Sequence, residues 1–468
     1  MSTRTKIVAT IGPASDDDAT IDAMLDAGLA VARVNCAHGT PEALATTIGR
    51  LRARALARTA PLAILADLGG PKLRVGALAG GSAQLVAGST FTLTTAAVLG
   101  DATRVHVDYP ALPADVHAGD VIFLNDGLIR LTVTAVNHSD VETRVDVGGA
   151  LGDRKGVSVP GAALSTPSLT AKDVADLDVL AAHPVDFVGL SFVRRAADVE
   201  ALRGELAARA LPAAIVAKIE KPQAVQALDE ILAAADAVMV ARGDLGVECD
   251  VAEVPVLQKR IIAAAIAAGR PVITATQMLE SMVDSPRPTR AEASDVANAV
   301  LDGSDAIMLS AETAAGLHPV GAVRTMASIA ETAERFATQR PPPVPPASRG
   351  AAAEAIARSA ALAADATDAA AIVCITHSGQ TARAVARCRP RQPILAVTPN
   401  ATTWRRLALV WGVEARLVDG LPDAFDEACT TILAVLRDRL PAGAPLVITA
   451  GLPFGRGGKT NTLRVERT

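Results

Sequence analysis

The chain repeats one unit eight times. A short apolar run rich in β-branched residues closes on polar or charged side chains and gives way to a stretch with helical spacing. The runs are Lys6–Ile11, Val31–Asn35, Leu62–Asp67, Phe187–Phe192, Ile215–Glu220, Ala237–Arg242, Pro271–Thr276 and Ala306–Ser310, and Glu253 to Ala268 typifies the helical stretches between them. Strands alternating with helices predict a parallel sheet, and continuous apolar runs fit strands buried on both faces. Eight such units predict an α/β fold, a (β/α)8 TIM barrel, whose chemistry gathers at the C-terminal strand ends.

The repeat breaks between Asp67 and Phe187. Residues of about Val75 to Leu164 are rich in Gly, Thr and Val, with period-two alternation at Thr90–Thr94, Leu131–Val136 and Val141–Val147 and a turn signal at Asn125-Asp126-Gly127. This predicts an inserted small all-β domain, a β-barrel lid over residues 73–165, between barrel parts 1–72 and 166–340. Pro341 to Pro346 predicts a stiff linker. Residues 347–468 then alternate helices (Ala351–Ala364, Thr381–Arg387, Asp423–Leu436) with strands (Ala371–Thr376, Ile394–Thr398, Leu446–Ala450), as a C-terminal open α/β domain does.

Lys+Arg number 45 and Asp+Glu 50, for a net charge of −5. No basic excess marks a nucleic-acid or membrane-surface partner. The longest apolar stretches, such as Ile261 to Ala268, fall far short of the ~20 residues of a membrane span. The five cysteines form no CxxC pair, so neither a disulfide framework nor a zinc site is indicated. The opening Lys6-Ile7-Val8 soon meets Gly12-Pro13 and Asp16-Asp17-Asp18, which does not fit a signal-peptide core. A cytoplasmic protein is expected.

Five strands end in polar pairs two residues apart: Arg33/Asn35, Lys218/Glu220, Arg242/Asp244, Thr274/Thr276 and Ser310/Glu312. Residues two apart on a strand point the same way. With Asp67 they predict acids, bases and hydroxyls around one barrel mouth. Polarity where strands exit to solvent accounts for one or two such pairs. It does not account for Lys218 and Glu220 directly after an apolar run, because buried charges are costly unless paired or metal-bound. Glu220 and Asp244 lie on successive strands without a His or Cys beside them, a hard-oxygen set that suits Mg2+ or Mn2+. Salt bridges to Lys218 and Arg242 are the structural alternative. The loop Arg242-Gly243-Asp244-Leu245-Gly246 offers backbone N–H groups to an anion.

Over essentially its whole length the chain resembles the pyruvate kinase family. The resemblance is carried by Lys6-Ile7-Val8-Ala9-Thr10-Ile11-Gly12-Pro13-Ala14-Ser15, by Arg33-Val34-Asn35 with His38-Gly39, and by Ala217-Lys218-Ile219-Glu220. It continues through Val238 to Gly246 and is most specific at Ala275-Thr276-Gln277-Met278-Leu279-Glu280-Ser281-Met282 and Arg287-Pro288-Thr289-Arg290-Ala291-Glu292. It implies transfer of the phosphoryl group of phosphoenolpyruvate to ADP, giving pyruvate and ATP, with Mg2+ or Mn2+ held by Glu220 and Asp244. It further implies that Lys218 stabilises the enolate, that Arg33 grips the phosphate, and that Thr276 with the Ala241, Arg242, Gly243 and Asp244 backbone orients the carboxylate. Thr276, Ser310 and Glu312 would position the water that protonates the enolate. Pro13, Asn35, His38, Arg74 and Lys155 resemble nucleotide-side contacts. The lid would exclude water, and a homotetramer is expected.

The family's usual K+ ligands are incomplete here. Asn35 and Asp67 remain, but Ala37 stands for a Ser, Leu68 for a Thr, and Lys72 for a Glu. An ammonium can supply the charge that K+ supplies, and Leu68, Lys72 and Val75 resemble the K+-independent branch, so K+ is expected not to be required. Gly69, Ala311 and Ser158 also depart from common family residues. In the C-terminal domain, Thr376-His377-Ser378-Gly379-Gln380-Thr381 reads equally as a phosphate cradle or as a capped helix start. The family's sugar-phosphate effector would use Thr376, Ser378, Gly379, Thr381 and Lys459. The loop from Gly451 to Asn461 is no P-loop, since Pro453 takes the first glycine position and strand-like Thr462-Leu463-Arg464-Val465 follows it. Two other readings stand beside this one: another Mg2+-dependent phosphoenolpyruvate or pyruvate barrel enzyme (an aldolase or lyase), and a non-catalytic phosphosugar sensor.

Overall fold

The computed structural model describes residues 3–37, 39–162, 164–337, 352–454 and 460–468. His38, Lys459 and the 341–346 linker lie outside them. Eight parallel strands close into a barrel: Lys6–Ile11, Leu29–Asn35, Ala63–Asp67, Phe187–Leu190, Ala214–Ile219, Ala237–Ala241, Val272–Ala275 and Ala306–Leu309, each beside its neighbours in sequence. Both faces are buried, which is why the runs are continuously apolar. Val8, Val31, Leu65, Val216, Met239, Ile273 and Met308 fill the interior, with alanines at 63, 237, 275 and 306 between them. The alternate residues, such as Ile7, Ile64, Ala217, Val238 and Ile307, pack outward against the helices. Two residues beyond the interior layer, on the same face, stand Thr10, Arg33, Asp67, Lys218 and Ser310. The period of two therefore carries a dry core into a polar mouth.

The expected insert leaves the barrel after its third strand. Its six-stranded sheet runs in the order Val157–Ser158, Val121–Leu124, Ile129–Val136, Asp140–Val147, Thr90–Thr94, Arg104–His106, with a separate ladder of Ser82–Leu85 on Gly149–Gly152. Single bridges from Arg74 to Gly156 and from Val75 to Val107 join the two edges, so the sheet curls on itself around its own core of Phe91, Leu93, Ile122 and Leu131.

The C-terminal domain is an open sheet in the order Val413–Leu417, Ile394–Thr398, Ala371–Ile375, Pro445–Ala450, Thr462–Arg467, parallel except for the last strand. It docks on the N-terminal end of the barrel, where Ala408 and Leu409 join the interior cluster. Barrel helices end on that side, so their unpaired carbonyls face the dock and attract cations. Arginines supply them: Arg387 donates to Ala267 O, Arg389 to Gly303 O (2.6 Å), and Arg405 pairs with the fully buried Asp186 at 2.8 Å. No helix among the described residues is long and apolar enough to cross a membrane.

Candidate active site

Lys218 is the hub of the mouth. Its Nζ lies 2.8 Å from Glu220 Oε1 and 3.6 Å from Asp67 Oδ2, and donates to Ser191 Oγ at 2.8 Å. Ser191 Oγ in turn donates to Leu68 O at 2.8 Å, which fixes the hydroxyl as an acceptor for lysine. Arg33 reaches the same Asp67 oxygen through Nε (2.8 Å) and Nη2 (2.7 Å) and donates to Thr10 Oγ1 at 2.9 Å.

The electrostatics follow from burial. Burial alone pushes the Asp67 carboxyl up, but Lys218 and Arg33 outweigh it and hold the group below the ordinary carboxylate range. Burial pulls the Lys218 ammonium down, yet Asp67, Glu220 and Asp244 together hold it above the usual lysine range. Burial raises Glu220, the neighbouring Asp244 adds to the shift, and Lys218 only partly opposes it. Asp67, Glu220 and Asp244 therefore face two cations, Lys218 and Arg33, leaving the mouth one positive charge short.

Glu220 is 1% exposed; its Oε2 accepts from Phe192 N at 2.8 Å, while Oε1 has no aligned hydrogen-bond donor despite the nearby ammonium. The Asp244 carboxylate makes no hydrogen bond among the described residues. Both carboxylates line a cleft between barrel and lid together with Lys72, Asp126, Lys221 and Glu248. No three or more His, Cys, Asp or Glu among the described residues converge closely enough to enclose a metal ion by themselves. Two carboxylates in one cleft, with an excess of acidic over basic groups at the mouth, fit a Mg2+-type ion, which usually takes one or two protein carboxylates and completes its shell with water or substrate oxygens.

The next two strands contribute a loop and a strained turn. Asp244 sits in the first turn of a helix, Arg242–Glu248, rather than on the strand. The Arg242 side chain turns away from the mouth, donating to Thr276 O (2.6 Å) and Ala275 O (3.1 Å) and pairing with Asp295 at 2.8 Å. Of the alternative pair of salt bridges, the one from Lys218 to Glu220 is therefore present and the one from Arg242 to Asp244 is absent, so the contribution of Arg242 at the mouth is backbone only. Thr276 and Gln277 have φ of +72° and +52°, a region costly for a β-branched residue. That twist brings Thr276 Oγ1 to Gly243 N at 2.7 Å.

Two expectations, for Thr274 and Glu312, are corrected. Thr274 faces outward and is buried against Ser304 Oγ at 2.7 Å, because its inward neighbours are Ile273 and Ala275. Glu312 is fully buried, with its oxygens accepting from Leu279 N (3.1 Å) and Ser310 N (2.6 Å). It braces two loops and has no surface open to the mouth. Asn35 turns its Oδ1 to Ala37 N at 3.1 Å, capping the chain's exit from the barrel. Ser310, by contrast, keeps its hydroxyl free of hydrogen bonds among the described residues.

The remaining predicted residues are dispersed. Pro13 is exposed after the first strand, and Arg74 and Lys155 lie on the paired hinge segments, where Val75 N donates to Lys155 O at 2.9 Å. Lys72 Nζ stands 3.8 Å from Asp126 of the lid, in the cleft that Glu220 and Asp244 line. In the C-terminal loop, Thr376 Oγ1 accepts from Gly379 N (2.9 Å) and Thr381 Oγ1 meets Thr460 Oγ1 (2.7 Å), while Ser378 is exposed. Both inward hydroxyls are thus engaged in shaping the loop. Sequence reasoning missed Thr10 and Ser191. Each could have been found by counting two residues beyond an inward strand position.

A closed barrel whose mouth joins a buried lysine to two carboxylates under a lid defines a barrel enzyme handling an anionic substrate. Family models agree in detail: "Pyruvate kinase, barrel domain" matches residues 2–323 and "Pyruvate kinase, alpha/beta domain" residues 354–466. The chain is 44% identical to the pyruvate kinase of Methylorubrum extorquens over 99% of this chain and 97% of that one. It is 46% identical to that of Geobacillus stearothermophilus, over 100% and 80%. A crystal structure of a pyruvate kinase from Cryptosporidium parvum superposes with a TM-score of 0.91 at 34% identity, covering 99% of this chain and 96% of that one. The chain belongs to the pyruvate kinase family. It is an enzyme of that activity, acting on phosphoenolpyruvate and ADP and giving pyruvate and ATP.

Proposed function

We propose that phosphoryl transfer takes place at the Lys218–Glu220–Asp244 mouth, with Mg2+ or Mn2+ held by the two carboxylates. The observation that carries this is the buried Glu220 carboxylate, whose Oε1 has, among the described residues, the Lys218 ammonium alone beside it, in one cleft with the unbonded Asp244 carboxylate. When bound, the cation neutralises charge on the transferring group and the developing enolate. Phosphoryl transfer asks the protein for positioning and charge stabilisation more than for covalent chemistry. Arg33, locked by Asp67 and Thr10, presents its guanidinium to the phosphate. Lys218, charged at neutral pH, faces the enolate oxygen as the bond from that oxygen to phosphorus breaks and the bond to the ADP oxygen forms. The substrate carboxylate docks on the 241–244 backbone, where Thr276 fixes the Gly243 amide. The Thr276 and Ser310 hydroxyls place the water that gives the enolate carbon its proton. Pro13, Asn35, His38, Arg74 and Lys155 serve as the nucleotide-side contacts, and the 73–165 lid keeps water from the phosphoryl group.

Lys72 stands in for K+, supplying a positive charge within the catalytic cleft. The barrel spans 1–72 and 166–340, and residues 347–468, after the linker, would take a sugar phosphate near Ser378 and Lys459. A cytoplasmic homotetramer completes the reading. The test is a coupled assay with phosphoenolpyruvate and ADP. Turnover should require Mg2+ or Mn2+ and persist in K+-free buffer. Loss of turnover without K+ overturns the role of Lys72. Consumption of phosphoenolpyruvate without ADP would favour an aldolase or lyase.

A further inference from the structure

The wall of the same cleft holds a second ion pair that the chemistry above does not use. Lys221 directly follows Glu220, and its Nζ lies 2.7 Å from Glu248 Oε1. The two residues are 9% and 8% exposed. Glu248 ends the Arg242–Glu248 helix, four residues after Asp244, so both carboxylates project from one helix face about one turn apart. Two consecutive residues of one loop thus face two residues on one side of one helix. Glu220 and Asp244 form one rung across the gap, and Lys221 and Glu248 form the other.

Phe192 ties the rungs together. Its amide holds Glu220 Oε2 at 2.8 Å, while Lys221 Nζ sits 5.5 Å from its ring centroid. It does so at φ +57°, unusual for a bulky residue. The adjoining Gly70 is essential to that fit, because a Cβ there would stand 2.7 Å from the Phe192 ring. A buried ion pair contributes little net stability compared with an apolar pair of the same size. Stability alone is therefore a poor account of this one.

We propose that the Lys221–Glu248 pair is a positioning brace that sets the spacing of Glu220 and Asp244, and through it the affinity for the divalent cation. This rests on the reading that those two carboxylates hold the cation. The test is Mn2+ titration of the full-length enzyme, followed by electron paramagnetic resonance without substrates. Lys221→Met should weaken Mn2+ binding by about tenfold, the lower end of what loss of support behind a metal ligand costs. The Mg2+ activation constant should rise in step, with kcat at saturating metal changed far less. Lys221→Arg should restore most of the affinity. The Lys221→Met/Glu248→Gln double variant should bind no more weakly than the single one, as coupled residues do. Mn2+ affinity in folded Lys221→Met within about twofold of wild type overturns the brace, whatever happens to its melting temperature. Should Lys221→Met fail to fold, Glu248→Gln decides by the same criterion. A wild type that takes up no Mn2+ overturns the cation reading itself, and the brace with it.

Discussion

At the scale of single residues, the mouth is a problem of charges held out of water. Asp67 is 1% exposed and shared between Lys218 and Arg33. Its pKa lies below the unfolded value of 3.8, so its contribution to stability is full above that value and lost as pH falls through the folded one. Asp67→Asn should lower the thermal midpoint at pH 7, by the equivalent of about 3 kcal/mol for a broken buried pair. The gap to wild type should narrow as pH falls below about 4. Melting curves against pH measure both. The charged members of this cluster were legible in the sequence, because a lysine and a glutamate directly after an apolar strand need an explanation. Asp295 was not, since a helix-borne aspartate carries no such signal until the fold brings it to Arg242, whereas Ser191 could be reached only by counting along the pleat from Phe187.

At the scale of elements, the strands were legible nearly to their ends and their exits were not. Alternation holds as far as Arg33, Asp67 and Lys218. Then Asp244 and Glu312 pass into short helices, and Thr276 into a left-handed turn. Beyond the last ladder residue, side-chain direction follows the local turn and no longer the pleat, which is why Glu312 departed from expectation; Thr274 departed because it lies within the ladder, where the pleat turns it outward between Ile273 and Ala275. The fourth strand shows what the pleat demands at closest approach. A Cβ on Gly189 would stand 2.8 Å from Asp67 Oδ1. Gly189→Ala should therefore destabilise the enzyme by about 1–3 kcal/mol, the usual cost of overpacking, and lower kcat by displacing Asp67 from Lys218. Thermal melts and steady-state rates check the two effects separately.

At the scale of the whole molecule, the same barrel has two differently charged ends. Its C-terminal mouth gathers Lys218, Glu220 and Asp244. Its N-terminal end, ringed by helix C-termini, receives the arginines of the C-terminal domain. That docking was not legible, because nothing in a sequence tells which barrel end a following domain covers. Lys6 reports on it, donating to Val413 O at 2.7 Å. Burial pushes its ammonium from 10.5 down to about 8, against the pull of Glu414 and Glu334. The folded state then binds fewer protons than the unfolded one between those values, so stability should gain with pH from about 8 towards 10.5. Lys6→Met should remove that gain, which unfolding measurements across this range can read. The central claim is that Lys218, Glu220 and Asp244 act as one unit, and kcat for Lys218→Met, Glu220→Gln, Asp244→Asn and the triple variant tests it most directly. Each single change should cost about 10²–10³ or more, and the triple should be scarcely slower than the worst single. A single variant with wild-type kcat, or losses that multiply, would contradict the account.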